Sequence, residues 1–194
     1  MVRIREIIAA GRLGDVVAMQ VDLSQALSGD DPFHRLNNPA LGGGALLDLG
    51  IYCVAFVVDV LGPPVRIQSE STPLSTGVDA RSSILLAFDG GAHASIGTAL
   101  DSRGPCTASV IGTAGRIEVD APWHKPTSFT VFDRAGEAAE RFEWDVPHRG
   151  MQFEASVFER LVVSGAAGGA VMPHAHTIAV LEVLDAVREQ SRML

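Results

Sequence analysis

The sequence predicts an α+β fold: a large, mostly antiparallel open β-sheet with helices packed on one face. Three observations carry that expectation. Seven short strand-like segments follow one another between residues 65 and 146 with turn residues and no helical pattern between them, which requires largely antiparallel pairing. A long apolar helix precedes this train, and two amphipathic helices follow it. No internal repeat and no linker-like change of composition divides the 194 residues, so one domain over 1–194 is expected.

The elements follow in order. Residues 2–10 read as a short helix with Ile4, Ile7 and Ile8 on one side, closed by Gly11 or Gly14. Residues 16–23 alternate, with Val17, Met19, Val21 and Leu23 opposing Ala18, Gln20 and Asp22, the pattern of a half-buried strand. Residues 24–44 form a polar loop that holds Phe33, His34 and Arg35; a loop of this length in a compact domain is usually functional or mobile. The helix over 45–61 is apolar nearly all round and should be buried on both sides. It carries Asp48, Gly50 and Asp59 and ends at Gly62-Pro63-Pro64, so a buried helix is expected rather than a membrane span.

Strands are then expected over 65–69, 81–88, 92–100, 107–111, 116–120, 128–133 and 141–146, with Asp89-Gly90-Gly91 as a hairpin turn. One face of the 92–100 strand carries Ser95, Gly97 and Ala99. Two readings of that small-residue face stay open, an oligomer interface or a face covered within the chain. The helix over 151–164 should bury Phe153, Val157, Phe158 and Leu161. The helix over 173–191 should bury a stripe of Ile178, Leu181, Leu184 and Val187, with Pro173 in its first turn.

Charge and composition narrow the function. The net charge is −8 and no basic run occurs, which argues against nucleic acid or an anionic membrane as the main partner. Two cysteines, Cys53 and Cys106, read as buried hydrophobes in a reducing compartment. The N-terminus lacks the order of a signal peptide, so a cytoplasmic location is expected. No Walker A, nucleophile-elbow or zinc-ligand spacing occurs, and no metal site is expected. His34, His93, His124 and His148 are isolated in sequence and are expected at the periphery; His174 and His176, two apart, diverge on a helix.

The most informative stretch is Gly42-Gly43-Gly44-Ala45-Leu46-Leu47-Asp48-Leu49-Gly50-Ile51-Tyr52. Three bare glycines allow close approach to their backbone, which points to Gly43 and Gly44 as backbone contacts for a cofactor. Asp48 and Tyr52, the chain's single tyrosine, lie four residues apart and so on one helical face. Taken singly, Asp48 reads as a helix-start carboxylate favoured by the dipole and Tyr52 as a core aromatic. Together beside the glycines they read as an acid/base pair, with Arg35 as a substrate contact from the preceding loop.

The segment from Asn38-Pro39-Ala40-Leu41 through Tyr52 resembles the substrate-domain signature of the glucose–fructose oxidoreductase / inositol dehydrogenase / MocA family, nearest its dihydrodiol-dehydrogenase branch. Ile4-Arg5-Glu6-Ile7-Ile8-Ala9-Ala10-Gly11-Arg12-Leu13-Gly14-Asp15-Val16 is similar to that family's linker helix and first sheet strand, and Ile111-Gly112-Thr113-Ala114-Gly115-Arg116-Ile117-Glu118 to a later turn. The resemblance implies a glyceraldehyde-3-phosphate-dehydrogenase-like C-terminal domain, with 1–14 as the end of an interdomain helix. It further implies NAD or NADP held mainly by a separate Rossmann domain, a small-molecule substrate, and homo-oligomerisation through the sheet. Asp48 matches the family's acidic active-site position, and Tyr52 a position that is histidine in many members and tyrosine in some. The family's Gly-x-Gly-x-x-Gly half and its Glu-Lys-Pro lysine are not in this sequence. The chain therefore resembles half of an enzyme, inactive alone: an excised domain, or a short protein that pairs with a cofactor-binding chain. The rival expectation is a non-catalytic α+β module that dimerises or binds a small ligand.

Overall fold

The computed structural model describes residues 1–27, 31–125, 127–146, 150–169 and 171–192. The helices are α1 (Val2–Ala9), α2 (Ile51–Leu61), α3 (Met151–Ser164) and α4 (His174–Arg192). The strands are β1 (Val16–Ser24), β2 (Arg66–Pro73), β3 (Asp79–Ala87), β4 (His93–Ala99), β5 (Ala108–Gly112), β6 (Gly115–Val119), β7 (Phe129–Asp133) and β8 (Ala138–Phe142). They form one eight-stranded sheet in the order β2-β3-β4-β1-β5-β6-β7-β8. β1 and β4 pair in parallel and the other neighbours are antiparallel; the sheet is thus mostly antiparallel, as the sequence predicts, while the one parallel pair is not foreseen there.

The register explains why the sheet has one dry face. A single rung runs Ser69, Ile84, Ile96, Val21, Ala108, Val119, Phe129, Phe142 across the eight strands. The next rung runs Gln68, Leu85, Ser95, Gln20, Ser109, Glu118, Thr130, Arg141. Successive residues of a strand point to opposite faces, so the first rung lines the core and the second faces water. Helices α2 and α4 pack on each other and over the core side, α2 on β1 and β4 and α4 on β2. Among the described residues no element covers the opposite face, which holds an open depression of about 1300 Å³. Of the small-residue face expected over Ser95, Gly97 and Ala99, no described element covers Ser95 and Gly97, whereas Ala99 is buried.

Several boundaries and faces differ from the sequence expectation, each for a local reason. Val17 is exposed although it alternates with Met19, because the β1–β5 register shifts between Val16 and Ala18; a bulge of this kind flips side chains to the other face. β8 begins right after the Asp133–Gly136 turn and leaves the ladder at Phe142. Trp144 then stacks on Phe142 and Phe129 at centroid distances of 6.1 and 5.5 Å instead of pairing. The expected helix over 45–61 opens as a wide π turn, Leu46–Gly50, before α2. By length and composition Pro39–Leu61 would serve as a membrane span, yet 56% of its apolar window is buried inside this fold.

Two helices are oriented differently from the sequence expectation. α4 buries Val180, Val183, Leu184 and Val187, leaving Ile178 and Leu181 exposed. α3 buries none of its residues, and Phe153, Val157 and Phe158 are exposed. The reason is occupancy: α2 and α4 already cover the sheet's dry face, so α3 has no sheet to lie on. Its Leu161 lies against Gly169 in the segment that follows the helix.

The rotated stripe is testable. Leu184→Ala should lower the unfolding free energy by about 3 kcal/mol, whereas Leu181→Ala should change it by less than about 0.5 kcal/mol, both read by urea unfolding of the 194-residue chain.

Candidate active site

The polar loop is organised by its own side chains into two 3₁₀ turns, Arg35–Asn37 and Pro39–Leu41. His34 Nδ1 accepts from the Leu36 N–H at 3.3 Å, and Asn38 Oδ1 accepts from the Ala40 N–H at 2.9 Å. These caps replace helix-end partners with local ones. The chain then folds back, so that the Gly43 N–H donates to the Asn38 carbonyl at 3.0 Å and the Gly44 N–H to the Leu36 carbonyl at 2.9 Å.

Gly43 and Gly44 are buried, and the approach their bare α-carbons permit is made by the chain itself. A side chain at Gly43 would strike the carbonyls of Arg35 and Leu36; one at Gly44, whose φ is +112°, would strike the carboxylate of Asp79. The close approach at these two α-carbons is thus taken up by the chain itself, and a recess of about 330 Å³ lined by Gly42, Gly43, Leu46, Leu47 and Asp79 remains beside them. Asp79, absent from the sequence expectations, reaches from the start of β3 to accept the Leu46 N–H at 2.7 Å and the Ser82 hydroxyl at 3.1 Å. It caps the π turn from outside that turn's own sequence. Burial pushes its carboxyl above the ordinary value, and the bonds from Leu46 and Ser82 offset part of that rise.

The wide turn then presents Asp48, whose carboxylate accepts from the Arg35 guanidinium at 2.7 Å. Asp48 is mostly covered, with 17% of its side chain exposed, while Arg35 is open at 65%. The sequence names both residues without linking them; the first 3₁₀ turn brings them together. Tyr52, one turn on, is no core aromatic: 51% of it is exposed.

Tyr52 lies on the wall of a groove of about 920 Å³. Phe56, Trp123, His124 and Lys125 line it beside Tyr52, and the start of α1 closes another side. Asp48 is not on that wall, so the structure puts the phenol in the groove and the acid one turn before it. Trp123 is clamped: it stacks on Phe56 at 5.3 Å, its indole N–H donates to the Asp22 carbonyl at 2.8 Å, and its backbone N–H donates to the Cys106 carbonyl at 3.2 Å. On α1, Arg5 grips the Asp59 carboxylate and the Val171 carbonyl, tying α1 to α2 and to the chain before α4.

The histidines divide differently from the sequence expectation. His124 is not peripheral: its ring lies 6.1 Å from that of Tyr52. His176 also lines the groove, while His34 caps the loop and His93 sits exposed at the start of β4. His148 lies outside the described residues. The signal that could have revealed the groove wall is Pro122-Trp123-His124-Lys125-Pro126, an aromatic and two titratable side chains between prolines in one inter-strand turn. Cys53 is fully buried, and burial pushes its thiol well up, so it serves as a small hydrophobe. Among the described residues no group of three or more His, Cys, Asp or Glu side chains gathers to hold a metal.

Two outcomes follow for the loop. Gly44→Ala forces a side chain into the Asp79 carboxylate at positive φ and should cost about 2 kcal/mol or more in urea unfolding. Asp79 keeps its proton to higher pH folded than unfolded, so the native state binds more protons just above the unfolded value near 3.9. Its contribution to stability must then fall as pH rises through that window up to the raised folded value. Asp79→Asn should flatten this part of the stability–pH curve.

Residues 1–118 match the family described as the GFO/IDH/MocA C-terminal domain. The chain is 32% identical over 197 residues to trans-1,2-dihydrobenzene-1,2-diol dehydrogenase of Danio rerio, covering 96% of this chain and 57% of that relative. It is 29% identical over 222 residues to D-xylose 1-dehydrogenase (NADP(+)) of Hypocrea jecorina, covering 97% of this chain and 56% of the relative. The aldose–aldose oxidoreductase of Caulobacter crescentus, solved with glycerol, shares the fold with a TM-score of 0.81 at 22% identity, over 97% of this chain and 57% of its own. So does a 3-ketoreductase of Actinomadura kijaniata, solved with NADP and TDP-benzene, with a TM-score of 0.76 at 18% identity, over 97% of this chain and 58% of its own. The chain thus spans little more than half the length of the curated relatives it matches. With the expected sheet, the glycine-to-tyrosine segment and this match in place, the chain belongs to the GFO/IDH/MocA family, as its C-terminal domain.

Proposed function

We propose that this domain forms the substrate side of an NAD(P)-dependent oxidoreductase that acts on the CH–OH group of a sugar, polyol or diol. The observation that carries the reading is Tyr52: a half-exposed phenol on the wall of a 920 Å³ groove, one turn after a carboxylate held by Arg35. Its relatives include a diol dehydrogenase and an NADP-dependent sugar dehydrogenase, which supports this substrate class and cofactor type. The described residues offer no cradle for a dinucleotide's phosphates, since the backbone of Gly43 and Gly44 is engaged internally. We assign cofactor binding to a separate Rossmann domain, which when loaded supplies a nicotinamide as hydride acceptor.

Within this chain, Tyr52 takes the carbinol proton as the alcohol becomes a carbonyl. Asp48 and Arg35 act from the turn before it, the carboxylate orienting the guanidinium, whose open face is suited to a substrate oxygen. We assign the exposed apolar side chains of α3 and α4 (Phe153, Phe158, Ile178, Leu181) to contact with the cofactor domain, since large apolar side chains left exposed on a folded domain suit an interaction site. The uncovered sheet face, with its small and polar rung, is the surface we assign to a second copy.

The test is turnover by this domain joined to its cofactor domain. Tyr52→Phe should lower kcat by roughly 10²- to 10⁴-fold, and Asp48→Ala should lower kcat/KM by a smaller factor while raising KM. The 194-residue chain alone should show no turnover. Full activity with both substitutions present would remove both residues from the chemistry.

A further inference from the structure

We propose that His124 is the proton partner of Tyr52: the imidazole takes the proton that the phenol receives and returns it in the reverse reaction. The inference rests on the oxidoreductase reading for its chemical purpose, but the pairing itself rests on geometry. The two rings are 6.1 Å apart between centroids, their planes inclined at 55°, and both line the groove. The relay requires the phenol oxygen to meet a ring nitrogen directly or through one water, the range in which general acid–base partners work.

The imidazole is placed by a rigid support. His124 meets the neighbouring Trp123 edge-on, with centroids 6.4 Å apart and planes at 84°. Trp123 is itself held by Phe56, by the Asp22 carbonyl and by the Cys106 carbonyl. Phe56 lies on α2 one turn after Tyr52, so the same helix that carries the phenol anchors the loop that carries the imidazole. Such shared anchoring keeps the two rings in register.

The chemistry explains why a partner is needed. A phenol that still carries its proton can take the carbinol proton only as its own is handed on, and an imidazole beside it is a base of suitable strength to receive it. In the oxidation direction the C–H bond breaks with its electron pair leaving as hydride to the nicotinamide that the reading assigns to the cofactor domain. The O–H proton goes to the Tyr52 oxygen as the Tyr52 proton goes to His124, leaving a carbonyl and an imidazolium. Among the described residues of the groove, Arg3 pairs with Glu6 at 2.7 Å and Arg5 with Asp59, and Lys125 and His176 also line it.

Because Tyr52 is the single tyrosine, one labelled ring carbon reports on this site without turnover. In the 194-residue chain with ¹³Cζ-tyrosine, the resonance should shift with an inflection at the pH where the His124 imidazole changes charge. His124→Gln should abolish that inflection, and Lys125→Gln or His176→Gln should leave it. In the domain joined to its cofactor domain, His124→Gln should lower kcat by roughly 10²-fold with KM within about twofold, and should remove the limb of the kcat/KM profile near that pH. A resonance without the inflection, or one that keeps it in His124→Gln, overturns the proposal. So does an unchanged kcat and pH profile in His124→Gln when Tyr52→Phe abolishes turnover. If the inflection behaves as expected but Tyr52→Phe turns over normally, the pairing stands and the oxidoreductase reading of Tyr52 fails.

Discussion

The fold depends at one point on a half-buried carboxylate. Asp79 reaches from β3 to the first free N–H of the π turn, in a space that exists because Gly44 has no side chain. Remove that contact and the Leu46 N–H is left without its acceptor inside the protein, at a cost of about 1–3 kcal/mol. More is at stake than stability, because this bond sets where the turn begins. The start of the turn sets the direction of Asp48 and Tyr52. Thr98 reinforces it from β4, its hydroxyl within 3.1 Å of the Leu23 carbonyl and 3.3 Å of the Ala45 carbonyl. The acid and the phenol are thus aimed by the centre of the sheet, not by a loop. A site on rigid elements holds its geometry better than one on mobile segments.

From that anchor the molecule divides into a dry interior and two unsatisfied surfaces. The interior lies between one face of the sheet and the α2–α4 pair. One open surface is the other sheet face, flat and polar. The second is the side where α3 and α4 show Phe153, Phe158, Ile178 and Leu181 to water. Their characters differ as their assigned partners differ: a second sheet of the same composition against the first, a globular domain against the second. The groove with Tyr52, Trp123 and His124 is bounded by α1 and by the chain just before α4. A domain joined at α1 would therefore sit beside the chemistry.

The strands were legible in the sequence because a half-buried strand writes its burial directly as alternation, as in Met19, Val21 and Leu23 against Gln20 and Asp22. The helices were less so. α4 has apolar residues over a wider arc than it buries, so Ile178 and Leu181 compete with Val180 and Val183 for the inward face, and only the neighbouring β2 and α2 decide. α3 reads as amphipathic, but no periodicity can say that the surface it suits lies outside the sheet. At the site, Asp48, Tyr52 and the glycines were found by spacing along one segment. The partners were not, because the contact of Arg35 with Asp48 depends on two 3₁₀ turns, and those of Asp79 and His124 depend on strand order. Spacing reports neighbours on one element; it is silent about residues that a sheet brings together.

The most direct measurement is a structure of this domain joined to its nucleotide-binding domain, with a nicotinamide cofactor and a diol or sugar analogue bound. The account predicts the analogue in the groove, its reacting oxygen within about 2.6–3.2 Å of the Tyr52 oxygen, with the nicotinamide against its carbinol carbon. A cofactor lodged on the bare sheet face, or an analogue whose reacting oxygen touches neither Tyr52 nor the Arg35–Asp48 pair, would contradict it.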